Sequence, residues 1–423
     1  MVIVSSGFNR THVTIAAREA SRSGLLAGAV TGAYPTPTVR RALRALGLEK
    51  SGRLARLLER DERIPSGQMR ALHVPELLDE LARLLTRVPG MEGFYAPLDA
   101  ACMRLYGRLA AREVDRLASR ARLFHFRAGF GHASLRRAND LGLFTLCDHS
   151  AVHPLLVDRI LAADGDLLAA VETGDGPTRL HPLWQSMLDD IDQTDALLVN
   201  SDFLKEMLVA LGWPADRVHV IYLGIDDYFL EQIPQPKQPI ARKGPLRLMF
   251  AGRLEQAKGA DALIAACRTL DGFDWELVVA GPVAGGVKAH QGPFLADPRV
   301  TSLGTVSRAK LAERLSAADV FVFPSLAEGS ARAVFEALAC GCYVITTPNS
   351  GSIVEDGVHG ALVPAGDGRA LAGAITRANA DRDAIQEVGR HNAALIAASY
   401  RQSDYGAALT SLYRRLGASQ GDP

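Results

Sequence analysis

Four charged side chains in the second half of the chain have the types and spacing to hold an anionic ligand that also carries hydroxyls. Glu328 and Glu336 lie eight residues apart in PSLAEGSARAVFEALACGCYVITT, the first in a loop and the second on the helix that follows. Two helical turns cover about 7 residues, so both carboxylates can face one side of a cleft near the helix N-terminus. That terminus, with Gly329 and Ser330, offers unpaired backbone N–H groups and the positive end of the helix dipole. Upstream, the apolar run LRLMF leads into AGRLEQAKGADALIAAC, which brings Arg253 and Lys258 to the end of a strand. Arg253 can fork two phosphate oxygens and Lys258 adds a point charge. Gly252 lets backbone approach a ligand closely, and Gly259 opens the next helix. A nucleoside diphosphate suits such a set: phosphates for the cations and N–H groups, hydroxyls for a carboxylate. The plainer alternative is two solvated cations in a strand-to-helix loop and two acids placed favourably in the first turns of a helix.

Other strings invite chemistry with less support. Ser350-Gly351-Ser352 can form a backbone nest for phosphate or a simple turn. Asp164-Gly-Asp166 and Asp190-Ile-Asp192 have the look of metal-binding pairs, but neither follows an apolar strand, so both read as helical or turn surface. The five cysteines are scattered and no C-x-x-C occurs; Cys340-Gly-Cys342 reads as small core residues at a helix-to-strand turn. No metal is expected.

The elements that must position these groups alternate: short apolar runs separated by longer stretches of helical period, the pattern of parallel α/β sheets. Strands are expected near 2–5, 121–126, 142–147, 195–200 and 217–223, then near 246–251, 275–280, 299–304, 319–323 and 342–347. Helices are expected over 153–170, 201–211, 259–270, 307–317 and 331–341, with a mostly helical insertion over about 36–118. The proline-rich EQIPQPKQPIARKGP (231–245) reads as a linker. Two doubly wound domains follow, 1–225 and 226–397, with a C-terminal helix over about 398–417.

Composition narrows the function. The chain has 423 residues, 48% hydrophobic and 22% charged, with 47 basic and 47 acidic residues. Zero net charge argues against a general nucleic-acid binder. Only seven of the basic residues are lysine, a bias that fits a GC-rich bacterial genome. From Arg40 to Arg63 there are eight basic residues and four acids, with Leu54, Leu57 and Leu58 at helical spacing. This stretch reads either as a solvated helix face or as a peripheral contact with an anionic membrane surface. MVIVSSGFNR lacks a basic n-region and a long apolar run, and no stretch of about 18 apolar residues occurs, so a cytoplasmic protein is expected.

The order GRLEQAKG, EGSARAVFE, ALACGCYVITTPNSGS and EDGVHGALVP resembles the retaining nucleotide-sugar glycosyltransferases of family 4, with the GT-B fold; LLVNSDFLKEML and VHVIYLGIDDYF resemble the family's domain junction. The resemblance spans about 195–365 well and the N-terminal half loosely. It implies two Rossmann-like domains around a cleft and transfer of a sugar from a nucleotide diphosphate sugar to a glycan or glycolipid acceptor, without metal or other cofactor. It implies that Arg253 and Lys258 neutralise the donor diphosphate, that Glu328 stands beside the transferred sugar, and that Glu336 holds the ribose hydroxyls. Gly329, Ser330 and Ala331 would form the backbone cradle.

On the acceptor side it matches Gly7-Phe8-Asn9-Arg10-Thr11-His12 to the loop after the first strand, although only one glycine is present. It places His125, which ends ARLFHF, near the donor sugar. Asp148 and His149 end LFTLCD and point at the same expected cleft, and Arg127 could bind an anionic acceptor. The C-terminal helix would cross back onto the first domain. Other readings remain open: an epimerase or phosphorylase on the same fold, or a binding protein without turnover.

Overall fold

A computed structural model describes residues 1–9, 11–45, 47, 58, 63–86, 95–172, 180–234, 240 and 243–418. The first half contains β1 (Val2–Ser5), α1 (His12–Arg22), β2 (Leu26–Thr31), α2 (Pro37–Ala45), β3 (Met69–Ala71), α3 (His73–Leu85) and α4 (Tyr95–Leu117). It continues with β4 (Leu123–Arg127), α5 (His132–Asp140), β5 (Phe144–Asp148), α6 (Val157–Ala162), α7 (Leu167–Glu172), α8 (Pro182–Asp192), β6 (Ala196–Val199), α9 (Asp202–Ala210) and β7 (Val218–Val220). The second half begins with α10 (Asp227–Glu231), β8 (Leu246–Ala251), α11 (Ala260–Thr269), β9 (Trp275–Ala280), α12 (Gly285–His290), α13 (Gly292–Leu295) and β10 (Val300–Gly304). It ends with α14 (Arg308–Ala317), β11 (Val320–Phe323), α15 (Arg332–Ala339), β12 (Tyr343–Thr346), β13 (Gly360–Leu362), α16 (Gly368–Ala380), α17 (Arg382–Ser399) and α18 (Gln402–Ala418).

Two parallel sheets result, one of seven strands in the order β3-β2-β1-β4-β5-β6-β7 and one of six in the order β10-β9-β8-β11-β12-β13. Parallel strands covered on both faces read as unbroken apolar runs, as VIVS, ALLV and VFVF do here, each buried throughout. In each sheet the order reverses once, between β1 and β4 and between β8 and β11. Loops diverge beyond the carboxyl ends of the strands at such a point and leave a crevice for a ligand. The loops carrying Gly7 to His12, Gly252 to Lys258 and Glu328 to Ala331 all leave strands at these two reversals.

Three strands go beyond the sequence expectation. β2 is LAGAVT, where small residues leave room for α4: a Cβ on Gly28 would lie 2.5 Å from Leu117. β3 and β13 have three residues each, too few to show a period, and β3 places an edge strand inside the stretch read as helical over 36–118. The helix expected over 153–170 is two helices, α6 and α7, divided by a turn in which Asp164 and Gly165 have φ of 48° and 93°. Of the basic stretch 40–63, Lys50, Arg53, Leu54, Arg56, Leu57 and Arg60 lie outside the described residues, as do 235–239, 241 and 242 of the proline-rich linker.

The C-terminal segment divides its packing. α17 lies on α15 and β12 of the second sheet, whereas α18 packs on α1 and β4 of the first. Between them the chain passes beside its own earlier crossing: the Ile225 N–H donates to the Tyr400 carbonyl at 2.8 Å, and the Gln402 N–H to the Ile225 carbonyl at 2.9 Å. Gly224 makes this possible, because its φ is 69° and a Cβ there would lie 2.5 Å from the Tyr400 oxygen. Tyr405, Leu409, Leu412 and Tyr413 of α18 close a core with Val13, Ala16 and Ala20 of α1. Leu409 is fully buried, so Leu409→Ala is expected to destabilise the first domain by about 2–4 kcal/mol. A clear drop in its urea unfolding midpoint checks this, and an unchanged midpoint would mean that α18 is not integral to that core.

Candidate functional site

On the second-sheet side, Gly252 follows β8 with φ 139°, and the chain turns through Gly259 in the left-handed region at φ 74° before α11. A Cβ on Gly259 would lie 1.8 Å from the Pro324 carbonyl oxygen, so only glycine lets the loops after β8 and β11 come together. That approach forms the ion pair between the Lys258 ammonium and the Glu328 carboxylate, with the ammonium 5.6 Å above the Phe323 ring. Arg253 is more than half exposed and is held by Glu255 at 3.1 Å.

Glu336 is buried on α15 and lies in a charge network that the sequence reading did not include. Its carboxylate meets Arg332 Nε at 3.2 Å and Arg308 Nη2 at 3.8 Å. Asp226 receives both arginines in turn, a bidentate fork from Arg308 at 2.9 and 2.7 Å and a second contact from Arg332. Burial pushes the Glu336 carboxyl up, against the pull of Arg332 and Arg308. Burial would also raise Asp226, but hydrogen bonds from Arg308 and the Phe229 N–H outweigh it and hold the group below the usual carboxylate range. Arg332, one helical turn before Glu336, was legible as an i, i+4 partner. Arg308 and Asp226 reach the site only through the fold.

The backbone cradle is smaller than expected. The Ala331 N–H donates to the Ser350 carbonyl at 2.9 Å, and the Glu328 N–H to Asn349 at 3.0 Å. Ala331 therefore has no N–H to offer a ligand, which leaves Gly329 and Ser330 from the expected set. Ser350 and Gly351 form a single turn whose serine hydroxyl pairs with that of Ser352 at 2.9 Å. The loop meets the first domain directly. The Ser201 hydroxyl donates to the Gly329 carbonyl, and a Cβ on Gly329 would lie 2.5 Å from the Ser150 carbonyl oxygen. Asn349 Nδ2 donates across the cleft to the Gly165 carbonyl at 2.6 Å.

On the first-sheet side the centre is Asp148, buried at the end of β5. Its Oδ1 accepts from His12 Nε2 at 2.7 Å and from the Ser150 hydroxyl at 2.7 Å, while Oδ2 lies 3.4 Å from His125 Nε2. Burial would lift this carboxyl, but His12 and His125 outweigh it and hold it well below the usual range. His125 was expected beside the donor sugar, and the structure corrects this. Its ring has no exposed surface and its Nδ1 is 2.6 Å from the Tyr413 hydroxyl of α18, which makes it a strut between α18 and Asp148. The His12 side chain keeps 25% of its surface exposed.

The loop before His12 is clamped by its surroundings. The Gly7 N–H donates to the Tyr106 hydroxyl at 3.2 Å, and the Asn9 N–H to Glu76 at 3.2 Å, with Asn9 at φ 63°. Arg127 is largely enclosed, bonded to the Phe8 carbonyl at 3.2 Å and set 5.0 Å over the Phe130 ring.

Two further expectations change. Asp190 is no surface residue: it is buried, and its carboxylate accepts from the N–H groups of Gly129, Gly131 and His132 at 2.8 to 3.0 Å, fixing the loop after β4. Asp164 and Asp166 are exposed, while Gly165 between them is buried at the contact with Asn349. Among the described residues, no three or more His, Cys, Asp or Glu side chains gather as a metal site needs. His149 was expected to face the cleft. Instead its ring is fully buried, with neither nitrogen hydrogen-bonded, 6.1 Å from the ring of His153.

Burial, with His153 beside it, pushes His149 down to about 3; burial, with Arg159, pushes His153 down to about 4. In the unfolded chain each imidazole protonates near pH 6.5. The unfolded state therefore binds more protons below that pH, and the stability contribution, complete above it, is lost as the pH falls. The expected loss is about 1.4 kcal/mol per pH unit for each ring, until the folded values are reached. His149→Gln should remove one proton's worth of that slope in urea midpoints taken between about pH 6 and pH 5. An unchanged slope would mean that His149 protonates within the fold.

With this geometry in hand, comparison with known proteins places the chain. Residues 245–381 match the family described as Glycosyl transferases group 1. The amylovoran biosynthesis glycosyltransferase AmsK of Erwinia amylovora is 30% identical over 197 residues, 44% of this chain and 47% of that protein. The putative colanic acid biosynthesis glycosyltransferase WcaL of Salmonella typhimurium is 27% identical over 237 residues, 52% of this chain and 57% of that one. The matched stretch thus spans about half the length of these curated relatives.

Solved structures extend the likeness to the whole fold. Sucrose-phosphate synthase from Thermosynechococcus elongatus covers 99% of this chain and 100% of its own, with a TM-score of 0.62 and 18% identity. Anabaena HepE, solved in complex with UDP, covers 98% of this chain and 100% of its own, with a TM-score of 0.60 and 15% identity. Residues 245–381 are thus similar to the glycosyl transferases group 1 family, and the chain as a whole has the two-sheet GT-B architecture of these solved structures.

Proposed function

We propose that the chain is a retaining glycosyltransferase that takes a sugar from a nucleoside diphosphate sugar and passes it to a hydroxyl of a glycan or glycolipid, in the cytoplasm and without a divalent metal. The observation that carries this reading is the Lys258–Glu328 ion pair, made where the loops after β8 and β11 meet at the reversal of that sheet, with Arg253 on the first of these loops and Glu336 on the helix that follows the second. The relatives agree in kind. HepE has been solved with UDP and with UDP-glucose, and AmsK and WcaL are named for amylovoran and colanic acid biosynthesis, which favours an acceptor in polysaccharide synthesis.

In this reading the anomeric C–O bond to the diphosphate breaks while the acceptor oxygen bonds on the same face, and the acceptor proton passes to the departing phosphate oxygen. Arg253 and Lys258 meet the negative charge that develops on that phosphate. Preplaced donors of this sort contribute about 10²–10³ in rate. Lys258 must then share its charge between Glu328 and the diphosphate, so Glu328 sets where the ammonium stands as well as lining the sugar. Glu336 accepts from the ribose hydroxyls, its charge balanced by Arg308 and Arg332. Across the cleft, His12, hydrogen-bonded to Asp148 and a quarter exposed, receives the acceptor hydroxyl.

Thermal unfolding in the presence of UDP, GDP, ADP or dTDP, with and without EDTA, tests the donor side. One nucleoside diphosphate at about 100 times its dissociation constant should stabilise the fold by about 2.7 kcal/mol, a rise of several degrees that EDTA leaves in place. Glu336→Ala should remove the rise; Glu328→Ala should keep it and abolish transfer. No rise with any of the four would overturn the assignment of Arg253, Lys258 and Glu336 to a donor diphosphate site.

A further inference from the structure

Helix α3 is built inside out. Val74, Leu77, Leu78, Leu81, Leu84 and Leu85 form one stripe at helical spacing, and all six are exposed, with Val74 at 58% and Leu81 at 54%. The opposite face carries the acids and is buried. Glu76 is 3% exposed and binds the N–H groups of Asn9 and Ala33, while Asp79 is 1% exposed and takes a hydrogen bond from Tyr95 at 3.3 Å. A helix that turns its carboxylates inward and its leucines outward has its apolar face ready for something other than its own domain.

The neighbouring helix supplies the complementary half. α4 lies against α3, where Arg83 stands 5.8 Å over the Tyr95 ring, and Arg70 of β3 reaches Glu113 of α4 at 3.5 Å. Arg104, Arg108, Arg112 and Arg116 follow one another at four-residue steps along its outer face, all exposed, over about 18 Å of helix. Arg116 pairs with Glu113, but Arg104, Arg108 and Arg112 have no carboxylate partner among the described residues. Asp99 and Glu113 of the same helix point into the protein, and Asp115 is taken by Arg137. Beyond the ridge, a groove of about 500 Å3 between α4 and α5 is lined by Arg112, Arg136 and Arg137 and by Asp115 and Asp140.

We propose that the outer face of α3 and α4 docks the protein on a bilayer containing anionic lipid, with the α3 leucines in the headgroup–acyl boundary and the α4 arginines on lipid phosphates. Charge decides between occupants. A second copy seated two-fold on this face would bring one arginine ridge toward another, with the exposed Asp115 already paired to Arg137, whereas lipid phosphates meet the ridge with opposite charge and a geometry that guanidinium groups fork. The apolar stripe and the basic ridge side by side are what an in-plane amphipathic surface needs. The proposal does not rest on the sugar-transfer reading.

Flotation with vesicles of phosphatidylcholine plus phosphatidylglycerol, against phosphatidylcholine alone, tests it on the full chain. The unaltered protein should float with the anionic vesicles and lose that binding as salt is raised. Replacing Arg104, Arg108 and Arg112 together by alanine should weaken binding about a hundredfold, and Leu77→Gln with Leu81→Gln by about tenfold or more. All five side chains are exposed, so the melting temperature of both variants should match the unaltered chain. Failure of the unaltered protein to float, or equal flotation of the triple arginine variant, would overturn the proposal. So would a dimer in solution that the double leucine variant dissolves, since that result would assign the face to a second copy.

Discussion

One buried carboxylate holds the first domain to its cleft. Asp148 ends a strand, yet its two oxygens reach α1 through His12, β4 through His125 and the loop toward the second domain through Ser150. A lone carboxylate so enclosed would be protonated or disruptive, because leaving water costs several kcal/mol that only close partners recover. Here two imidazoles and a hydroxyl supply that recovery. The chain of contacts runs on through His125 to Tyr413, so the C-terminal helix takes part in orienting a group at the opposite end of the strand. Geometry at His12 thus depends on an element nearly 400 residues away in sequence.

The second domain solves a related problem with more charges. Arg308, Arg332, Asp226 and Glu336 alternate in sign, so each buried or half-buried charge has an opposite neighbour within 4 Å. Asp226 also stands at the junction where the chain leaves the first sheet. The carboxylate assigned to ribose is therefore linked by two arginines to the point about which the domains would move. Contact across the cleft includes two polar pairs: Ser201 on Gly329 and Asn349 on Gly165 are hydrogen bonds that a ligand or water can replace.

The sequence carried much of this, unevenly. The β11 and β12 runs were legible because strands covered on both faces are continuously apolar, β8 and β9 because a single charge interrupts each otherwise apolar run, and Glu328 and Glu336 because their spacing is local. β2 was hidden by its alanines and glycine, and β3 and β13 by their length. The partners of site residues were the hardest part. His125 has the position and chemistry of a cleft residue, and nothing in ARLFHF shows that Tyr413 has taken its nitrogen. Asp190 looked like a surface acid because the three N–H groups it binds lie about sixty residues earlier. Pairings of this kind depend on where the backbone returns, and local pattern does not encode the return.

The double crossing between the domains has a mechanical meaning. Two strands of chain run side by side there, tied by the Ile225–Tyr400 and Ile225–Gln402 hydrogen bonds and pressed together at Gly224. A single tether is a universal joint and lets one body swivel freely on the other. Two tethers bonded edge to edge form a strap, compliant across its thin dimension and stiff against rotation about its length. Any relative motion of two bodies so joined would be channelled into bending across the strap, which would keep Lys258 on one body and His12 on the other in a single register.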